Sequence, residues 1–294
     1  MTGKKRQARD RRVFGMRKNI FATAAAVAIA LPALAGAALA QQAAEPDDDA
    51  RQPQARGMAR VESGTFSMGG RSVALEAFYM DVHQVTQREW RELMGTTARQ
   101  QRDRVSPSAP MRGEGDNHPM YFVSWFDAVE FANRRSLRAG LAPAYTIAHA
   151  TSGRRSVLSW NRDANGYRLP TEAEWEFAAR GGAACREDFT FSGSDTIGEV
   201  GWHNENTPRQ DGRRTTQPVG MLRPNALGIY DMTGNVWEWV WDEWDGPPNP
   251  RQRRVIRGGS IGTSPERSHT AHRTFNTASR GHNHLGFRLT RSAD

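Results

Sequence analysis

The chain has 294 residues, with 40 Lys and Arg residues against 32 Asp and Glu residues, and its formal net charge is +8. Residues 1–40 hold eight of those basic residues and one of the acids, which leaves a net charge of +1 on the remainder, so the sequence predicts no nucleic-acid partner. No lysine follows Lys18 and Cys185 is the only cysteine, which excludes a lysine nucleophile in the folded part, an internal disulfide and a cysteine-based metal cluster.

The first 40 residues have the order of regions found in an export signal. Basic residues come first, an apolar run follows over residues 20–35, and the small-residue stretch Ala38-Leu39-Ala40 ends the segment. We therefore expect a signal peptide over residues 1–40, an exported, periplasmic protein and no transmembrane domain in the mature chain. Arg11-Arg12 resembles a twin-arginine export signal. With Met16 as the true start, an ordinary secretory signal would begin there, and a retained N-terminal anchor is a further alternative.

Residues 41–56 lack apolar periodicity and are rich in Pro, Gln and charge. This composition is typical of a flexible linker, so we expect the folded domain to cover residues 57–292. At the start of that domain, the apolar residues of the ranges 61–68 and 73–82 are separated by Gly69-Gly70. This pattern predicts two strands joined by a turn.

Three later segments show a helix N-terminus, in which a Ser or Thr is followed three residues later by an acid. Apolar residues recur at helical spacing behind each of them. The sequence therefore predicts helices that begin after Thr86, Ser124 and Thr171, the last of which ends before Gly181-Gly182. The 28 Gly and 15 Pro residues predict long irregular loops elsewhere.

Six short segments, taken in order, resemble those of a known family. They are VESGTFSMG at 61–69, RLPTEAEWE at 168–176, LGIYDM at 227–232, GNVWEW at 234–239, RGGS at 257–260 and GFR at 286–288. On these segments the chain resembles the formylglycine-generating-enzyme or sulfatase-modifying-factor family over about residues 58–292. The resemblance implies an α+β fold, irregular and C-type-lectin-like, with much loop and with calcium ions that hold the loops.

Asp231 and Glu238 flank a tight turn at Gly234-Asn235. Two carboxylates and freed backbone carbonyls can therefore converge on one point, which suits a hard cation such as calcium. The resemblance implies a calcium site here, with the side chains of Asp231 and Glu238 and the carbonyls of Gly234 and Val236 as ligands. The alternative is a core stripe of tryptophans beside a solvated turn without an ion.

The resemblance also implies a second calcium site. It would use Asp211 and the carbonyl of Arg213, which precede Pro218-Val219-Gly220 at the family's spacing. The asparagine expected for its other half has no convincing position within residues 199–206.

The oxidising members of this family use two cysteines shortly after the Gly-Gly-Ser segment. An alignment without gaps from Ser260 places Thr263 and Ser268 at those two positions. A hydroxyl forms neither a mixed disulfide nor a soft copper thiolate site. The sequence therefore predicts a non-oxidising member in which the formylglycine reaction is absent, and Cys185 is interpreted as a lone thiol.

The same stretch carries several other groups that could take part in acid–base or metal chemistry. Imidazoles bind copper or iron and exchange protons near neutral pH. The spacing fits no metal motif, so neither copper nor iron is predicted. The candidates are His269, His272, Arg273, His282 and His284.

Two classes of function remain open at this stage. One is an exported maturation enzyme or oxidase that acts on a peptide, similar to the cysteine-lacking family member that takes part in finishing pyoverdine-type siderophores. The other is a non-catalytic, lectin-like module that binds a peptide, glycan or protein partner in a surface cleft.

Overall fold

A computed structural model of the protein describes residues 57–149, 155–185, 187–247 and 252–293. The expected signal peptide and linker lie outside these residues. Within them, no helix has the length and apolar character needed to cross a membrane. The described part combines short helices with many short strands and long loops, so the α+β expectation is confirmed.

All the helices are short, and four of them begin at or next to a polar residue that caps the backbone N–H groups. In chain order they are α1 (Gln87–Met94), α2 (Ala98–Val105), α3 (Trp125–Arg138), α4 (Glu172–Ala179) and α5 (Ile197–Val200). Thr86, Ser124 and Thr171 each form a complete capping box, which confirms the three predicted helix starts. Helix α2 was not predicted, because only Ala98 and Gln101 of its residues are buried and it has no apolar stripe.

The strands near the N-terminus are shorter than predicted. Each of the two predicted strands is divided into two, because residues 62–63 and 76–77 have no regular secondary structure. The first four strands are β1 (Met58–Val61), β2 (Gly64–Met68), β3 (Arg71–Leu75) and β4 (Phe78–Asp81). Strands β2 and β3 form a hairpin around Gly69-Gly70, as predicted.

Two hairpins follow, and the remaining strands are distributed over three separate sheets. The hairpins are β5 (Tyr145–His149) with β6 (Arg155–Trp160) and β8 (Arg209–Gln210) with β9 (Arg213–Arg214). The others are β7 (Gly201–Trp202), β10 (Thr233–Gly234), β11 (Trp237–Glu243), β12 (Arg253–Arg257), β13 (Arg273–Thr277), β14 (Leu285–Gly286) and β15 (Thr290–Ser292).

Two sheets position the candidate site. One has the strand order β1-β4-β15 and the other has the order β13-β12-β11-β14, in which β14 runs parallel to β11. Successive side chains of β11 and β12 pack into two different apolar clusters on opposite faces of the sheet. Trp239 and Ile256 belong to one cluster, and Val240 and Val255 belong to the other. The turn that precedes β11 is therefore held between the two cores.

Candidate functional site

Four oxygen atoms converge on the side-chain nitrogen of Gln84, which is fully buried just after β4. The contacts of Nε2 run to the carbonyl oxygens of Asp231 (3.2 Å), Gly234 (3.4 Å) and Val236 (3.0 Å) and to Oε1 of Glu238 (2.9 Å). An amide NH₂ group has two hydrogens, so it cannot donate fully to four acceptors. We call this arrangement the oxygen cage.

Glu238 belongs to a buried ion pair at the side of the cage. Arg288 donates to it through Nε (2.8 Å to Oε2) and Nη2 (2.8 Å to Oε1), and neither side chain is exposed to solvent. Trp175 adds an indole N–H bond to Oε2 at 2.8 Å. The carboxylate is thus fixed in one orientation and the turn is buried, not solvated, whereas the core stripe of tryptophans in the alternative is confirmed. The presence of an ion stays a prediction.

The carboxylate of Asp231 lies beside the cage. Its Oδ2 accepts a bond from the Gly220 N–H at 2.7 Å, whereas its Oδ1 is buried without a hydrogen-bond partner. Burial raises the pKa of Asp231 to about 6, against the lowering effect of the bond from Gly220. A buried carboxyl oxygen without a donor, next to an all-oxygen cage, fits the chemistry of a hard cation such as calcium.

The structure therefore brings together all four residues that the resemblance implies, and three of them, Gly234, Val236 and Glu238, present the implied oxygen atoms. Asp231 contributes its carbonyl to the cage, whereas its carboxylate bonds Gly220. Gly234 is required by close packing, because a Cβ atom there would lie 2.2 Å from the carbonyl oxygen of Trp202.

Gln84 was missed by the sequence analysis. It precedes the N-terminal cap of α1 by two residues, where a polar side chain is typical of the surface. The available signal was its position three residues after an apolar strand.

The second predicted calcium site, at Asp211 and Arg213, does not form a buried cage like the one around Gln84. Asp211 is exposed at the tip of the β8–β9 hairpin, with a left-handed φ of 50°. The neighbouring carbonyl of Asn204 accepts a bond from Nε of Arg214 at 2.6 Å. The site at Asp211 and Arg213 stays a prediction.

A hydroxyl cluster occupies the loop after the Gly-Gly-Ser segment. Oγ of Ser260 lies 2.7 Å from Nδ1 of His284 and 2.9 Å from Oγ1 of Thr263, and it also accepts a bond from the Gly262 N–H at 3.2 Å. Ser260 is fully buried and Thr263 is 8% exposed. A serine–histidine pair is the arrangement of a nucleophile and its base, but this serine has no surface open to a substrate.

Ser268 is also buried, and it does not bond the cluster. Its Oγ donates to the carbonyl of Ser264 at 3.0 Å, and a Cβ atom on Gly259 would lie 2.5 Å from it. Thr263 and Ser268 thus bond different partners inside the protein, and both have the contacts of structural residues.

The histidines form two pairs of neighbouring rings, with centroids 5.4 Å apart for His269 and His272 and 4.5 Å apart for His282 and His284. Burial lowers the pKa of all four, to about 3 for His282 and about 4 for His284. Among the described residues, no three His, Cys, Asp or Glu side chains are arranged to hold a metal ion.

The lowered pKa values of His282 and His284 predict a loss of stability in acid. A histidine whose folded pKa lies below its unfolded value of about 6.5 favours the folded state above that value, and this contribution disappears as the pH falls toward the folded pKa. We expect the free energy of unfolding to fall by roughly 2.5 kcal/mol for each of these two residues between pH 7 and pH 4.5. Urea titrations at both pH values should show a smaller loss for the His282→Gln/His284→Gln variant. An equal loss in both proteins would contradict the assignment.

Arg273, a candidate from the sequence, is engaged in structural ion pairs. Its Nε and Nη2 donate to Glu172 at 2.8 and 2.7 Å, and its Nη1 donates to Asp245 at 3.0 Å. Cys185 is half-buried, and its thiol donates to the carbonyl of Glu187 at 3.2 Å. Neither residue belongs to the contacts of the hydroxyl cluster.

Comparisons with known proteins agree with this architecture. Residues 42–293 match the family of the sulfatase-modifying factor enzyme 1-like domain. The chain is 36% identical to chaperone protein LppX of Paenibacillus barcinonensis, over 68% of this chain and 76% of that protein. It is 31% identical to the formylglycine-generating enzyme of Streptomyces coelicolor, over 86% of this chain and 94% of that enzyme.

The crystal structure of CarF matches with a TM-score of 0.64 and 28% identity, and the match covers 81% of this chain and 98% of CarF. This likeness and the family match confirm the C-type-lectin-like fold that the sequence motifs implied. The chain belongs to the sulfatase-modifying-factor family, in which the formylglycine-generating enzymes are found.

Proposed function

We propose that this protein is an exported, non-oxidising member of the family that binds a peptide or protein partner. The observation that carries the proposal is the position, burial and hydrogen bonding of Thr263 and Ser268. They stand at the positions that an ungapped alignment gives to the oxidising cysteines, and both are buried and hydrogen-bonded internally. The one cysteine of the chain, Cys185, lies elsewhere in the fold. Without two thiols at this place, the disulfide exchange with a substrate cysteine has no covalent partner.

Two further points favour binding over a maturation or oxidase activity. An enzyme of that kind needs a reactive group that its substrate can reach, whereas the Ser260 hydroxyl is fully buried and already makes three hydrogen-bond contacts. The relative from Paenibacillus carries the name of a chaperone, a protein that acts by binding. We therefore place this protein with the partner-binding class.

The first test is the formylglycine reaction itself. We expect no conversion when the protein is incubated with a sulfatase peptide containing Cys-x-Pro-x-Arg, copper and oxygen, because a hydroxyl does not exchange with a thiol. Mass spectrometry of the peptide measures the result directly. Conversion by the unmodified protein would overturn the proposal.

Binding is tested with arrays of peptides that tile exported proteins. We expect retention of a defined subset at micromolar protein concentration, and the same subset should bind to the Cys185→Ser variant. An array on which no peptide is retained above the level of an inert control protein would contradict the proposed binding role.

We further propose that the oxygen cage holds a structural calcium ion. Gly234, Val236 and Glu238 would bind it together with the Asp231 carbonyl, and the Gln84 side chain could offer its own oxygen, Oε1, which is buried without a partner in its present orientation. The ion would supply positive charge to a buried site that contains two carboxylates and one arginine.

Removal of calcium should therefore lower the melting temperature. A ligand that binds only the folded state stabilises it by about 2.7 kcal/mol at a hundredfold excess over its dissociation constant. Thermal unfolding with and without a chelator measures this, and the Gln84→Leu variant, which removes the amide from the cage but leaves Glu238 in place, should reduce the shift. A melting curve that a chelator leaves unchanged in the wild type would show that the cage is filled by protein groups alone.

A further inference from the structure

Strand β13 forms one edge of the four-stranded sheet, because its only strand partner among the described residues is β12. The two strands are antiparallel, with Phe275 opposite Val255 and Arg273 opposite Arg257. In such a pair, residues alternate between those that exchange hydrogen bonds with the partner strand and those whose N–H and C=O groups face away from it. The alternation decides which groups lie on the free edge.

Two hydrogen bonds fix this alternation. The N–H of Ala278 donates to the carbonyl of Gln252 at 2.8 Å, so this opposed pair faces inward. The carbonyl of Arg253 instead accepts a bond from Trp244, on the side of β11, at 3.1 Å. By alternation, Arg273, Phe275 and Thr277 direct their N–H and C=O groups outward from the sheet.

Only part of this outer edge is already used. The N–H of Thr277 donates to Oδ1 of Asn276 at 2.8 Å, and its carbonyl accepts from the N–H of Arg280 at 2.9 Å. No such bond to another described residue satisfies the outward N–H and C=O groups of Arg273 and Phe275. These four unpaired backbone groups have the spacing at which an additional strand could form hydrogen bonds with β13.

The side chains beside the open groups give the edge a chemical character. Phe275 is one of the few large apolar side chains that are well exposed, at 36%. Its ring lies 5.0 Å from that of Trp244, and the guanidinium of Arg253 lies 4.2 Å from its centroid. Arg253 makes no ion pair within the described residues, whereas the charge of Arg273 is balanced by Glu172 and Asp245.

We propose that β13 is the docking edge for an extended, acidic peptide segment of a partner protein, which adds as a further strand. Main-chain bonds to Arg273 and Phe275 would supply affinity, an apolar side chain would pack against the Phe275 ring, and a carboxylate would pair with Arg253. The inference rests on the proposed binding function and names the surface that performs it.

The test uses a fluorescent eight-residue peptide in which phenylalanine and glutamate stand two residues apart, so that both lie on the face of Phe275 and Arg253, titrated by anisotropy into the wild-type protein. We expect saturable binding that falls at least tenfold in two cases. One is the Phe275→Pro variant, which removes an outward N–H but no bond to β12. The other is the same peptide N-methylated at alternate residues on the edge-facing side. Arg253→Glu should weaken binding in the same direction, and Leu137→Ser, which alters an exposed apolar residue on α3, should not change it.

The possible results distinguish a failure of the proposed docking edge from a failure of the proposed binding function. Binding that persists in the folded Phe275→Pro variant, as checked by circular dichroism and an unchanged melting temperature, would overturn the docking edge and leave the binding function in place. Failure of the wild type to bind the probe while it retains other peptides on the arrays would do the same. Failure on both would remove the binding function as well. A wild-type dimer in sedimentation that Phe275→Pro converts to a monomer would assign the edge to a second copy of the chain and overturn the peptide as its occupant.

Discussion

Replacement of Glu238 by glutamine is expected to destabilise the fold by about 3–5 kcal/mol, because it leaves a buried arginine without its counter-charge. The two oxygens of Glu238 receive four donor contacts, from Arg288 twice and from Trp175 and Gln84 once each. A glutamine keeps the size of the side chain but turns an NH₂ group toward at least one of these donors. The new contact would be repulsive, and the charge of Arg288 would remain buried.

Urea unfolding followed by tryptophan fluorescence measures this loss. The control is Asp116→Asn, which removes the acid from the exposed ion pair with Arg91, where both side chains are about half exposed. Such pairs contribute about 0–1 kcal/mol, so the control should unfold almost like the wild type. The double variant Glu238→Gln/Arg288→Met should lose less than the sum of the two single variants if the residues act as a pair. A Glu238→Gln protein as stable as the control would contradict the buried ion pair.

The oxygen cage shows how far the sequence could define the site. The turn at Gly234-Asn235 and the acid at Glu238 were visible as a local pattern, because all of them lie within a few residues of one another. Gln84 and Arg288 reach the cage from positions far away in the chain, and no periodicity connects them to it. The sequence therefore predicted the local part of the site and missed the residues that complete it.

The helices show the same limit at the level of the fold. A capping box and an apolar stripe together predicted α1, α3 and α4. Helix α2 has the capping box at Thr97 and Gln100 but lacks the stripe, since most of its residues are polar and face solvent. The tryptophans of β11 fit the core stripe, because Trp239 is fully buried in the core, while the neighbouring Glu238 lines the oxygen cage.

Arg257 links the Gly-Gly-Ser segment to the loop that carries Ser268, and its side chain is fully buried. Its Nη1 donates to the carbonyl of His272 at 2.6 Å, and its Nη2 donates to the carbonyl of Thr270 at 3.0 Å and to the carboxylate of Glu176. Burial lowers the pKa of Arg257, against the raising effect of Glu176, so the bonds that it makes offset a large desolvation cost.

Arg257→Met should therefore destabilise the protein by about 3–5 kcal/mol, because methionine fills the space but leaves Glu176 and two carbonyl groups with fewer donors. At this chain length, such a loss corresponds to a fall in melting temperature of roughly 6 °C or more. Hydrogen exchange should also become faster across residues 268–272, since their carbonyl anchors are lost. The matched control is Arg99→Met, an arginine in an exposed ion pair with Glu114, which should change neither quantity measurably. An Arg257→Met protein that melts with the control and protects this loop equally well would show that the segment is held by backbone bonds and packing alone.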